Sequence, residues 1–153
     1  MNRNETQKYC VKNQYAAMRF FNASDDYVAA RCLILNGLFP GFTLASQAIE
    51  KMLKACIFLE SKKELKRGHN PFELKEELKK LKDYGFDKYN NLLKKLYDHY
   101  LARYHEDNVS RHEDGTSGAS SDELIEIDEL YLEITNKLPM PDEVKYRTKF
   151  FAD

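Results

Sequence analysis

The chain has no tryptophan, three cysteines, four prolines and no apolar run near the length a bilayer demands. A membrane-spanning helix needs about 20 consecutive, mostly apolar residues, so a membrane protein of that kind is excluded. Residues 1–8 are polar and lack the apolar centre of a secretory signal, which makes the cytoplasm the expected location. Cys10, Cys32 and Cys56 are odd in number and widely spaced, with no C-x-x-C or H-x-x-x-H pairing. That excludes the usual zinc sites and argues against a disulfide framework. Cys32 and Cys56 fall on apolar helical positions, where a thiol behaves as a small hydrophobe, and both are expected to be buried. There is no glycine-rich phosphate loop, no calcium loop and no aromatic-basic nucleic-acid motif. No metal and no cofactor are expected.

What is present is helix. The 153 residues are 42% apolar and 32% charged, a balance suited to one domain with a proper core. Ten tyrosines and nine phenylalanines supply its bulk. The most informative stretch is 44–58, where Leu44, Ala45, Ala48, Ile49, Met52, Leu53, Cys56 and Ile57 recur at helical spacing. Gln47, Glu50, Lys51 and Lys54 are placed on its other side, and Ala45 and Ala48 admit a close neighbour. This reads as the central packing helix.

Around it the punctuation is regular. A leader over 1–23 holds at most a short helix near residues 9–18, and Ser24 caps a helix opening at Asp25 and Asp26. Gly37 and the Phe39-Pro40-Gly41 segment break that helix. Asn70 and Pro71 are a strong start signal for the next, which stops near Tyr84-Gly85. Another runs from about 87 to 104 with Leu92, Leu93, Leu96, Tyr97, Tyr100 and Leu101 inward. Residues 105–119 contain almost nothing to bury and read as a polar loop. Ser120 and Glu123 form a capping box for a last helix carrying Leu124, Ile127, Leu130, Tyr131 and Ile134. Pro139 and Pro141 end it, leaving a tail over 138–153 in which Tyr146, Phe150 and Phe151 are docking groups. No segment alternates like a strand. The expected architecture is all-α: an antiparallel up-and-down bundle of four to five helices, its core spanning about 24–137.

Charge is unevenly spread although the net charge is −1. Residues 51–95 hold 13 Lys and Arg against 7 Asp and Glu, whereas residues 106–153 hold 5 against 13. A basic middle can face an anionic ligand, or the two blocks can be solvated faces that complement each other.

Three passages, in this order, give the chain a family likeness. Ala45-Ser-Gln-Ala-Ile-Glu-Lys-Met-Leu-Lys-Ala55, Gly68-His-Asn-Pro-Phe-Glu-Leu74 and Leu101-Ala-Arg-Tyr-His-Glu-Asp107 together resemble the HEPN family, the higher eukaryotes and prokaryotes nucleotide-binding domain. The resemblance spans about 24–137. It implies a helical bundle, often a homodimer with a groove between subunits, that binds a nucleotide or RNA. It also implies metal-independent RNA cleavage in toxin and defence members, and a nucleotidyltransferase-like protein as a natural partner.

The cleaving members resemble one another in an Arg followed four to six residues later by a His. In that pair the imidazole moves a proton at the 2′-hydroxyl or leaving oxygen, and the guanidinium stabilises the phosphate transition state. None of the seven arginines here has that spacing. Arg103 precedes His105 with one residue between and His112 with eight. A non-standard catalytic site therefore consists of Arg103 with His105 or His112. The corresponding ligand-binding set is His99, Arg103, Tyr104, Lys51 and Lys54, with His99 and Arg103 sharing a helix face. Against this, Arg103 can simply pair with an acidic residue such as Asp107, Tyr104 can pack, His69 can orient the helix it precedes, and His99 can sit at a bundle edge. The leading expectation is a binding and assembly module without standard catalysis. A metal-independent endoribonuclease and a purely structural adaptor are the alternatives.

Overall fold

The computed structural model describes residues 1–104 and 121–146, except the side chains of Tyr104 and Ser121. Helices dominate the described residues and no strand occurs among them. α1 spans Arg3–Lys12, α2 Gln14–Leu35, α3 Pro40–Ser61 and α4 Pro71–Leu81. A single 3₁₀ turn, Phe86–Tyr89, leads into α5, Asn90–Tyr104; α6 spans Ser121–Lys137 and α7 is one turn, Asp142–Lys145. No described helix is long and apolar enough to cross a membrane.

The first fifth of the chain is more ordered than a loose leader. Asn2 and Glu5 close a capping box on α1, satisfying donors that otherwise face water unpaired. α2 then runs unbroken through Ser24, because Ala16, Ala17, Phe20 and Ala23 already form a buried stripe that joins Ala30 and Ile34. Ser24 is no cap: its hydroxyl lies 3.1 Å from the Phe20 carbonyl and 2.9 Å from the Tyr131 hydroxyl. Asp26 is likewise mid-helix and accepts from Lys51.

Pro40 begins α3, where its missing N–H is no loss. Gly37 turns the chain with φ of 69°. Gly41 lets the α2–α3 hairpin close, since a Cβ there would stand 2.7 Å from Ile34 Cγ1 and 2.9 Å from the Ala30 carbonyl oxygen. α3 is indeed central: α2, α4, α5 and α6 all pack against it. Ala45, Ala48, Ile49, Met52, Leu53, Cys56 and Ile57 are buried as its periodicity predicts, while Leu44, at the start of the stripe, is only half-buried against the core.

Two other placements differ from that prediction. Glu50 and Lys54 are buried as well, because a helix ringed by neighbours keeps little solvent face. Cys32 is exposed while Cys56 is buried and Cys10 is half-buried. Cys32 lies one position beyond Arg31, whose guanidinium reaches α6, and that extra rotation turns the thiol outward.

Asn70 caps α4 as its sequence signals, accepting from the N–H groups of Phe72 at 3.0 Å and Glu73 at 3.4 Å. Residues 105–120, the polar loop and the first half of the Ser120–Glu123 box, lie outside the described residues, as do Phe150 and Phe151. Tyr146 is exposed. Much of the basic middle is matched locally. Lys75 and Lys79 donate to Asp87, whose carboxyl they hold below its ordinary range, and Lys80 pairs with Glu77 at 2.8 Å. Lys88 reaches across to Glu133 at 2.9 Å, joining the basic block to the acidic one.

Candidate functional site

The polar residues of α3 are not scattered. Thr43, Ser46, Glu50 and Lys54 recur at three-, four- and four-residue separations, so they lie along one side of the helix. All four are buried. The Lys54 ammonium donates to Glu50 Oε1 at 2.7 Å, and its side chain is 1% exposed. Among the described residues the hydroxyls of Thr43 and Ser46 find no hydrogen-bond partner.

The connection from α3 to α4 brings His69 against this strip. Its Nδ1 lies 3.2 Å from both carboxylate oxygens of Glu50. A carboxylate only accepts, so Nδ1 carries the proton and donates, which leaves Nε2 on the far edge of the ring. The side chain is 54% exposed, and its ring stacks on Tyr100 of α5 with centroids 5.4 Å apart. An exposed imidazole is thus held in place by a buried carboxylate below and an aromatic ring beside it. Desolvating Glu50 would be costly alone; an ammonium and an imidazole N–H compensate it from two sides.

α5 supplies the rest. Its helical repeat puts His99, Tyr100 and Arg103 on adjoining positions of one side. His99 stacks on Phe42 at 4.5 Å, meets Phe39 edge-on at 5.2 Å, and has Nε2 3.8 Å from Glu123 at the start of α6. That environment makes it a packing residue between α3, α5 and α6. Arg103 is exposed in the last turn of α5, one turn beyond His99 and three residues beyond Tyr100.

The other sequence candidates separate. Lys51 turns toward α2 and pairs with Asp26, whereas Lys54 is internal. The side chain of Tyr104 and both His105 and His112 lie outside the described residues. Among the described residues no three His, Cys, Asp or Glu side chains are grouped to hold a metal. The pair that sequence reasoning missed is Glu50 with His69. One signal was available: a histidine just ahead of the Asn70-Pro71 start, close behind a helix bearing a Glu and Lys at i and i+4. Its meaning depended on the burial of Glu50, which spacing alone does not reveal.

The family model described as HEPN domain matches residues 16–135, from α2 to near the end of α6. No curated protein and no solved structure matches the chain.

Proposed function

The chain belongs to the HEPN domain family, and from that premise we propose that it is a helical binding module whose His69, Tyr100 and Arg103 receive the phosphate and adjoining group of a nucleotide or RNA. The observation that carries this reading is the Glu50 carboxylate 3.2 Å from His69 Nδ1. It fixes the imidazole with Nε2 outward, so a phosphate oxygen meets a positioned donor when the ring is protonated. The guanidinium of Arg103 adds a planar, permanently charged fork suited to phosphate. The Tyr100 ring adds an aromatic surface stacked beside the imidazole, 5.4 Å away.

The test is binding of fluorescent ATP and of a short single-stranded RNA at low salt. His69→Ala and Arg103→Ala are each expected to weaken binding by about tenfold, the scale of one charge-assisted hydrogen bond, with circular dichroism unchanged. Absence of any nucleotide or RNA affinity in the unaltered protein would remove this reading and leave protein partners alone. The module is proposed to act as a homodimer, checked by light scattering, with a nucleotidyltransferase-like protein as its expected partner.

A second reading is metal-independent RNA cleavage, favoured by the same carboxylate-held imidazole. A base oriented by a carboxylate is the arrangement that general-base chemistry uses. His69 Nε2 would take the 2′-hydroxyl proton as that oxygen attacks the phosphorus. The 5′-oxygen then leaves, and a 2′,3′-cyclic phosphate remains. His105 and His112, which follow Arg103 in sequence, stay candidates for protonating the leaving oxygen. This reading predicts chelator-resistant cleavage with cyclic-phosphate ends, reduced in His69→Ala, Arg103→Ala and either of His105→Ala and His112→Ala. Binding without cleavage would reject it and keep the module.

A further inference from the structure

α2 and α6 lie side by side, tied by Ser24 to Tyr131 at 2.9 Å and by Arg31 Nε to Asp128 at 3.0 Å. Residue numbers rise along one as they fall along the other, so the pair is antiparallel. Tyr27 also faces α6, its ring stacked on Tyr131 with centroids 3.7 Å apart, and Val28 and Cys32 follow Tyr27 and Arg31 by one position. On α6, Leu132 follows Tyr131 by one and Ile125 precedes Asp128 by three. A step of one residue rotates a side chain by about 100°, and a step back of three by about 60° in the same sense. In an antiparallel pair those rotations turn both helices' side chains toward the same surface. That surface is apolar and open: Val28 is 61% and Leu35 67% exposed, Ile125 55% and Leu132 56%, with the Cys32 thiol exposed between them. Single exposed apolar residues are ordinary, whereas a strip shared by two packed helices marks an interaction surface.

The rim of the strip is acidic. Asp25, Asp122, Glu126 and Glu129 are exposed, and none is ion-paired to a described residue. The guanidinium at the seam, Arg31, is committed to Asp128 through both Nε and Nη2. We propose that this α2–α6 face docks an amphipathic helix of a partner protein, with an apolar stripe laid on Val28, Leu35, Ile125 and Leu132 and flanking Lys or Arg against the carboxylates. Charge decides between occupants. A second copy placed face to face would set acidic rim against acidic rim, and a nucleic acid would meet those four carboxylates, with the Arg31 guanidinium at the seam already paired to Asp128. A helix with basic flanks answers both the apolar strip and the rim.

The experiment uses the full chain and defined probes: a fluorescent peptide of about five helical turns, with leucines on one face and lysines elsewhere, its glutamate counterpart, and a lysine peptide with the leucines scrambled. Anisotropy reports affinity, and iodoacetamide modification of Cys32, mapped by mass spectrometry, reports location. The leucine–lysine peptide is expected to bind at least about tenfold more tightly than either control and to slow Cys32 modification. Ile125→Ser with Leu132→Ser removes that preference, and Glu126→Gln with Glu129→Gln lowers affinity and flattens its salt dependence. These exposed positions leave the fold intact, which circular dichroism checks. Equal binding of the three peptides, or unaltered Cys32 modification, overturns the proposal. So does Cys32 protection that appears with protein concentration alone, which identifies a second copy, or with RNA.

Discussion

Glu50 is a carboxylate with almost no water around it, and the Lys54 ammonium and the His69 ring hold it there. Removing one member of such a buried pair leaves an uncompensated charge, so Lys54→Met is expected to destabilise the fold by about 3–5 kcal/mol, read from urea unfolding. Pairing it with Glu50→Leu should recover most of that loss, since an apolar pair of similar volume has no charge to solvate. His69 differs: without it Glu50 keeps its pair with Lys54, so loss of ligand affinity in His69→Ala, with circular dichroism unchanged, reports on the site. At this scale the sequence revealed the Glu50–Lys54 spacing and the position of His69. It did not reveal that the three touch, because whether an i, i+4 pair faces water depends on what packs over it.

Elements place those residues. The Asn70 cap fixes where α4 begins and so where His69 stands one residue earlier. Asn70→Ala is expected to cost about 1 kcal/mol and to weaken nucleotide binding alongside. The α2–α3 hairpin depends on Gly41, where a methyl group would press on the Ala30 backbone. Gly41→Ala should destabilise by about 1–3 kcal/mol through overpacking, although alanine is the better helix former. The Asn70-Pro71 start and the α3 stripe were legible because caps and periodicity are local. The start of α2 was not: Ser24 offers a cap, yet the buried stripe from Ala16 to Ala23 outweighs it, and its hydroxyl back-bonds within the helix instead.

For the whole molecule, Glu133 links distant parts of the chain. Burial by itself would raise its carboxyl, but hydrogen bonds from Lys137, Tyr89 and Lys88 outweigh that and hold it at about 2. The same bond, with burial, pushes the Tyr89 hydroxyl up. A carboxyl depressed in the folded state contributes fully above its ordinary value of 4.5 and loses that contribution as pH falls toward 2. The melting temperature should therefore drop between pH 4.5 and 2, and Glu133→Gln should melt lower at pH 7 with a flatter acid limb.

The sequence by itself determined the all-α class, the central role of α3, the α4 start and the likeness to the HEPN family, because helical periodicity, caps and residue order are written locally. Tertiary structure decided what the polar residues do. Encirclement of α3 turned Glu50 and Lys54 into a buried pair, the α3–α4 connection set His69 upon it, and the antiparallel α2–α6 contact exposed Cys32 beside Val28, Ile125 and Leu132. Each of these follows from which helix covers which face, and no spacing along a single helix specifies its neighbours.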